Sequence, residues 1–456
     1  MKETQIGILS GPYRMLTIGI ILIVASVGFE GLAMTTIAPK LAEDLNGFSL
    51  YGWIFSAFLL SQIVGTMVIG NQIDKSGVFQ SYLTSIIVFV IGIVIAATSI
   101  NMYMLISARG LQGLGAGGLL TCVYYSITLN YPNELRTKIL AAFSSAFILP
   151  ALIGPYIAGL LAENFSWRFV FWVILPFFII AVSLTLPTFR KLQTKDKTNK
   201  NKTNNHKERD AIILTIGTGL LLAGLGLITE WKGIIFSIIG LSMMILPLKN
   251  LLPKGSFTLE KGLPATIISR GFFVASFFAV ESYIVLALTT LKGLPADKAG
   301  LIVAAGSISW STAAWVQSKL DEKDHATGRK KRVTTGISLM LLGVILIITV
   351  IILPGSNTIF AILSQIVTGF GIGLAHPTTG AIALQHANKD DAGNVSATIQ
   401  FIDSFSPGLS IGIGGALIGI SASLGLDVFT GILLALSLQL LLLIFSFIIS
   451  FRITTN

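Results

Sequence analysis

Charge is scarce in this chain of 456 residues: 11% are Asp, Glu, Lys or Arg, against about 25% in a soluble domain. Cysteine is scarcer still. The single Cys122 excludes an intramolecular disulfide and any cysteine metal cluster, and its place inside an apolar block gives it a small buried role. No GxxxxGK[ST] phosphate loop, HExxH pair or Ser-His-Asp set on a soluble scaffold is present. Their absence argues against ATP-driven pumping and enzymatic chemistry, so no metal or cofactor is expected. The chain opens without a short apolar stretch and small-residue cleavage site, so its first apolar block reads as a retained helix rather than a signal peptide. Alternating polarity is missing from the long apolar runs, which excludes barrel strands.

What is abundant is apolar surface. Hydrophobic residues make up 53% of the chain and the mean hydropathy is +0.82, which places it in a bilayer. Blocks long enough to cross as helices, which takes about 20 residues, fall at 15–37, 51–71, 81–100, 103–128, 138–162 and 168–187. Two follow at 211–229 and 233–250, then six at 265–291, 297–317, 333–353, 357–385, 394–420 and 428–451. The expectation is an all-α polytopic protein of fourteen spans with both termini cytoplasmic. It divides into a six-helix bundle (1–187), a basic linker (188–210), two additional helices with a loop (211–262) and a second six-helix bundle (263–456).

The net charge of +10 fits two partners, nucleic acid and a membrane, and its distribution separates them. With both ends inside, 24 of the 31 Lys and Arg lie on the cytoplasmic side and five outside (Lys40, Arg168, Lys232, Lys292, Lys298). The positive-inside rule accounts for that bias without nucleic acid. Arg109 and Arg270 lie within or at the edge of apolar blocks. Two halves of six helices around a linker suggest a transporter built from repeats with a site at their interface. A channel would more often show a pore loop or charged rings, and neither is visible.

Charged groups inside an apolar helix cost at least about 2.5–3.5 kcal/mol each on insertion scales, so they mark function by default. Glu30 is separated from Arg14 by fifteen residues, Glu281 is similarly deep in its block, and Asp403 interrupts SATIQFIDSFSPGLSIGIG. These three are candidate proton carriers, because desolvation lets a carboxyl bind and release a proton near neutral pH. The alternative is an acid that merely joins helices, and Ser404 and Ser406 beside Asp403 leave the two readings evenly balanced there. Arg109, in MLISARGLQGLGAGGLL, needs a buried acceptor, for which Glu30 is the natural partner. The glycines around it suit close packing or a cavity wall, and Gln112 points to the cavity. Phe277, Tyr283, Trp310 and His376 are candidates to line a cavity for flat, lipophilic or cationic molecules through stacking and cation–π attraction. Core or lipid-facing packing is the alternative for the aromatics. In FILPALIGPYIAGL, Pro155 with Gly154 and Gly159 predicts a kinked, tightly packed helix that can hinge. Asp74, in GNQIDKSG, is placed at a cytoplasmic turn where it can cap a helix.

Together these motifs resemble the major facilitator superfamily, and within it the drug:proton antiporters of fourteen helices. RGLQGLGAGG is similar to the family's fourth-helix motif, whose arginine, here Arg109, the resemblance implicates in proton coupling. PALIGPYIAG is similar to the fifth-helix motif of antiporters, with Pro150 in place of its first glycine. GNQIDKSG resembles the loop motif after the second helix, but Val78 and Phe79 stand where the family has an Arg-Lys pair. GRKK at 328–331 repeats part of that pattern in the second half. GFEGLAMTTIAPKLAEDL resembles the acidic first-helix motif, with Glu30 for its usual Asp. The resemblance implies a proton-coupled exporter of small molecules; a monomer is expected, and the Lys/Asn/Ile-rich composition fits a prokaryotic plasma membrane. A solute importer of the same fold and a non-transporting membrane sensor are the rival readings.

Overall fold

The structure is a computed structural model that describes residues 7–146, 148–192, 205–386 and 392–455. The central part of the expected linker, 193–204, lies outside the described residues. The described chain is helical throughout. The first bundle contains α1 (Arg14–Asp44), α2 (Trp53–Ser76), α3 (Val78–Ala97), α4 (Met102–Asn130), α5 (Asn133–Ser145), α6 (Ile148–Asn164) and α7 (Arg168–Leu192). The pair α8 (Asn205–Gly226) and α9 (Trp231–Leu251) follows. The second bundle is α10 (Leu263–Lys292), α11 (Ala296–Lys323), α12 (Arg329–Ile352), α13 (Thr358–Gln385), α14 (Ala392–Ser423) and α15 (Val428–Ser450). α5 and α6 run in sequence as the fifth member of the first bundle, which therefore has six.

Among the described residues twelve helices are long and apolar enough to cross a membrane. α4 falls outside that set because its glycines and Arg109 dilute its hydropathy, and α5 and α6 are each short. Local chemistry sets several ends. Asn101 Oδ1 accepts the Met104 N–H at 2.8 Å and Asp427 Oδ1 the Thr430 N–H at 2.9 Å, satisfying free donors at the starts of α4 and α15. α10 ends at Gly293, whose φ of +64° suits a residue without Cβ.

Glycine decides the packing of α4. A Cβ on Gly113 or Gly117 would run into the backbone carbonyls of Phe58 and Gln62 on α2, and one on Gly115 into the backbone of Phe89 on α3. Helices without a hydrophobic drive toward each other in lipid associate through such close backbone approach. α13 packs against α11 and α12 in the same way. The α8 and α9 pair closes on itself through Gly217 and Gly224 against Gly240 and Gly233. α8 then lies against α2 and α14, one helix from each bundle.

Contacts between bundles gather at the outer ends of the helices, with sides assigned by the basic residues. A Cβ on Gly159 would sit 2.6 Å from the Asp297 Cα, and one on Gly300 2.5 Å from the Pro155 carbonyl, so α6 and α11 touch backbone to backbone. Glu163 accepts the Ala296 N–H at 3.0 Å and pairs with Lys40 at 3.8 Å. Tyr51 O–H donates to the Ser282 carbonyl at 2.7 Å, and Ser56 O–H to that of Gly408 at 2.6 Å. The outer end is closed in this conformation, while His376 and Asp403, toward the inner ends of α13 and α14, keep about a quarter of their side-chain surface accessible. The arrangement is inward-facing.

Candidate functional site

Two buried polar clusters occupy the bundles. In the first, Glu30 on α1 and Arg109 on α4 are each 1% exposed and form an ion pair through Arg109 Nη1 and Glu30 Oε1. Arg109 makes further hydrogen bonds inside the same pocket. Nε donates to the Ile54 carbonyl and Nη1 to Gln112 Oε1, both at 2.9 Å, and the guanidinium lies 4.4 Å from the centre of the Phe58 ring. Glu30 Oε2 and Gln112 Nε2 are buried without a hydrogen-bond partner. A guanidinium removed from water needs such acceptors, and its exchange for a neutral group would strand the carboxylate.

The second cluster joins α10, α13 and α14. Arg270, 3% exposed, holds both oxygens of Asp403 at 2.7 Å through Nε and Nη2. Its Nη1 donates to the His376 carbonyl at 2.5 Å and to Thr379 Oγ1 at 2.9 Å, and Nη2 lies 2.7 Å from His376 Nε2. Trp310 meets His376 edge to face at 5.6 Å and Phe277 at 5.1 Å.

Glu281 stands apart. It is 2% exposed on α10 and, among the described residues, has no ion-pair partner. A carboxyl so placed either carries a proton or demands a cation.

The sequence candidates divide accordingly. Glu30, Arg109 and Gln112 come together as one unit, and Gln112, expected at the cavity wall, is wholly buried against Arg109. Phe277 and Tyr283, also expected at the wall, are packed away: Tyr283 donates its hydroxyl to the Ile411 carbonyl and lies under Gly414. Trp310 and His376 are partly accessible. Asp403 has Arg270 and His376 as partners rather than the serines beside it, since Ser406 donates to its own helix at Ile402. Gly154, Pro155 and Gly159 line the face of α6 that meets Phe29 and α11. Asp74 does not cap: it is exposed on the last turn of α2, and the cap position of α3 is Gly77 without a side-chain bond. The residue that sequence reading placed without a role is Arg270, which sits eight positions into α10 and holds Asp403.

The second-half loop keeps the charges that the first lacks. Arg329 and Arg332 both pair with Asp321, and Arg332 Nη1 reaches Asp324 Oδ2 at 2.6 Å. Asp324 also accepts the Gly328 N–H at 3.1 Å. The hydrogen bond from Arg332 holds the Asp324 carboxyl below the usual carboxylate range.

A family model described as Major Facilitator Superfamily matches residues 18–411. The multidrug transporter protein MdtP of Bacillus subtilis is 27% identical over 432 residues, covering 91% of this chain and 77% of its own. The multidrug efflux pump SdrM of Staphylococcus aureus is 23% identical over 361 residues, covering 77% of this chain and 79% of its own. Among solved structures, a peptide transporter POT variant in complex with alafosfalin superposes with a TM-score of 0.69 at 15% identity, covering 98% of this chain and 97% of that one. A variant of the nucleoside transporter NupG gives 0.67 at 15% identity, covering 96% and 100%. At that identity the structures speak for the fold alone.

Proposed function

The chain belongs to the major facilitator superfamily, and from that premise we propose that it exchanges external protons for lipophilic or cationic small molecules, which it expels by alternating access. It is a secondary membrane transporter. The observation that carries the antiport reading is the pair of carboxyls, Glu30 and Glu281, buried at mid-helix beneath an outer seam that holds the bundles together. A proton reaching a desolvated carboxyl removes its charge, and the resulting change in its partners can shift the balance between inward- and outward-facing states. The curated relatives are named for multidrug transport and efflux, which supports a broad range of organic substrates. We place the chain in a prokaryotic plasma membrane as a monomer, with α8 and α9 completing fourteen spans. Glu30, Arg109 and Glu281 act in proton coupling, Asp403 ties helices beside the cavity, and Trp310 and His376 face the substrate.

The test is uptake of ethidium into everted vesicles under an imposed pH gradient, acid inside. Wild type should accumulate the dye, and collapse of the gradient should abolish accumulation. Glu281→Gln should lose the gradient-driven component. Uptake that ignores the gradient, or net movement of dye out of loaded vesicles together with the protons, would favour the importer reading.

A further inference from the structure

The two halves repeat one another more closely around α4 and α13 than their sequences advertise. Arg109 is followed by glycines at 113, 115 and 117, and Gln365 by glycines at 369, 371 and 373, the same spacing from each side chain. The backbone contacts match as well. Gly113 and Gly117 press on the carbonyls of Phe58 and Gln62 on α2; Gly369 and Gly373 press on those of Gly306 and Trp310 on α11, again four residues apart. Gly115 meets α3 at Phe89, and Gly371 meets α12 at Gly336 and Met340. Arg109 lies over Phe58, and a Cβ on Gly306 would be 3.2 Å from Gln365 Oε1, so Gln365 lies over Gly306 in the same way. Gln365 therefore occupies in the second half the position of Arg109 in the first.

Glu281 is the buried acid of α10 at the depth of Gln365. Arg270 and His376 fix the alignment of α10 with the antiparallel α13, their nitrogens 2.7 Å apart. Eleven residues outward along each helix, about 16 Å of rise, brings Glu281 level with Gln365. Both are buried, at 2% and 1% exposure, and neither Oε1 nor Nε2 of Gln365 has a hydrogen-bond partner. The titratable side chains on elements packed against this stretch of α10 are Tyr51 before α2, Tyr283 on α10 itself, and Glu30 on α1. Arg270, His376 and Asp403 lie deeper, toward the cytoplasm, and Arg332 is at the inner end of α12. Among the described residues no cation of α11 to α15 is buried level with Glu281.

We propose that Gln365 is a positioning residue: by standing where the repeat would put a guanidinium, it leaves Glu281 without a fixed cation and so makes it the exchanging proton site, while Glu30 stays locked on Arg109. This rests on the antiport reading above. Gln365 keeps its depth polar without supplying charge. Movement of the halves can then load and unload Glu281, which an ion pair would prevent.

The test is ethidium transport by the full chain in everted vesicles between pH 5.5 and 9, for wild type, Gln365→Arg, Gln365→Lys and Gln365→Leu. An added cation near Glu281 should move the acid limb of the pH profile down by about 1 to 3 pH units and weaken gradient-driven transport. Gln365→Leu, which adds no charge, should keep the wild-type profile whatever it does to the maximal rate. The proposal is overturned if Gln365→Leu shifts the acid limb as the cationic variants do, or if a cationic variant that reaches the membrane keeps the wild-type profile. Should the cationic variants fail to insert, the leucine arm alone still decides. Failure of wild type to respond to the gradient would sink the antiport reading itself, whereas a responsive wild type with an equally responsive Gln365→Arg sinks only the role of Gln365.

Discussion

At the scale of single residues, two glutamates of similar burial live under opposite electrostatic constraints. Glu30 and Arg109 form a closed unit, and removal of one partner from a buried pair typically costs about 3–5 kcal/mol because the other is left charged and dry. Glu30→Ala should therefore lower the thermal stability of the detergent-purified protein sharply, read by tryptophan fluorescence on heating. Glu281→Gln breaks no ion pair, so the same melt should move little; an equal loss for both would mean that Glu281 is as tightly held as Glu30. Much of the first pair could be read directly from the chain. A buried arginine demands an acceptor, and Glu30 was the nearest acid of matching depth. Arg270 with Asp403 was not legible, because each had other polar neighbours in sequence and only helix rotation aims them at each other across 133 positions.

At the scale of elements, glycine placement sets which helices touch. Gly117 and Gly373 admit the backbone of α2 and α11, while Gly70 has open space around it. Gly117→Val and Gly373→Val should each destabilise by about 1–3 kcal/mol, the usual cost of overpacking, and Gly70→Ala should be tolerated; thermal melts and expression level compare the three. The close packing of GPYIAG was legible as composition, but its partner, the start of α11, was not. Charge at the cytoplasmic turn behaves differently. Asp324 lies between α11 and α12, and its carboxyl is held below the ordinary range by Arg332. A depressed native value means that the stabilisation is present above the unfolded carboxylate's titration, near pH 4, and is lost as pH falls through the lower native one. Asp324→Asn should loosen this turn at pH 7, seen as faster amide exchange at 324–332, with the difference from wild type shrinking as the medium is acidified below about pH 4.

For the whole molecule, the alternating-access proposal requires the outer seam of α6 against α11 to open. Gly300→Val would push a side chain toward the Pro155 carbonyl and bias the protein against the outer-closed state. The single, buried Cys122 permits a clean reporter: in a Cys122→Ala background, Thr36→Cys sits at a position with 0% exposure. An impermeant maleimide added from outside should label it several times faster when Gly300→Val is present, and unchanged labelling would place the gate elsewhere.

Sequence alone determined membrane residence, the helical class and the family. Each is a sum over many residues, such as hydropathy across a block or 24 inside cations against five, and sums survive ignorance of any one contact. Tertiary structure decided which acid is paired, which aromatics are sealed away and which end of the molecule is closed. Those outcomes depend on the rotation and relative depth of helices far apart in sequence. A shift of one residue turns a helix by about 100°, enough to send the same side chain to lipid, to a neighbour or to the cavity.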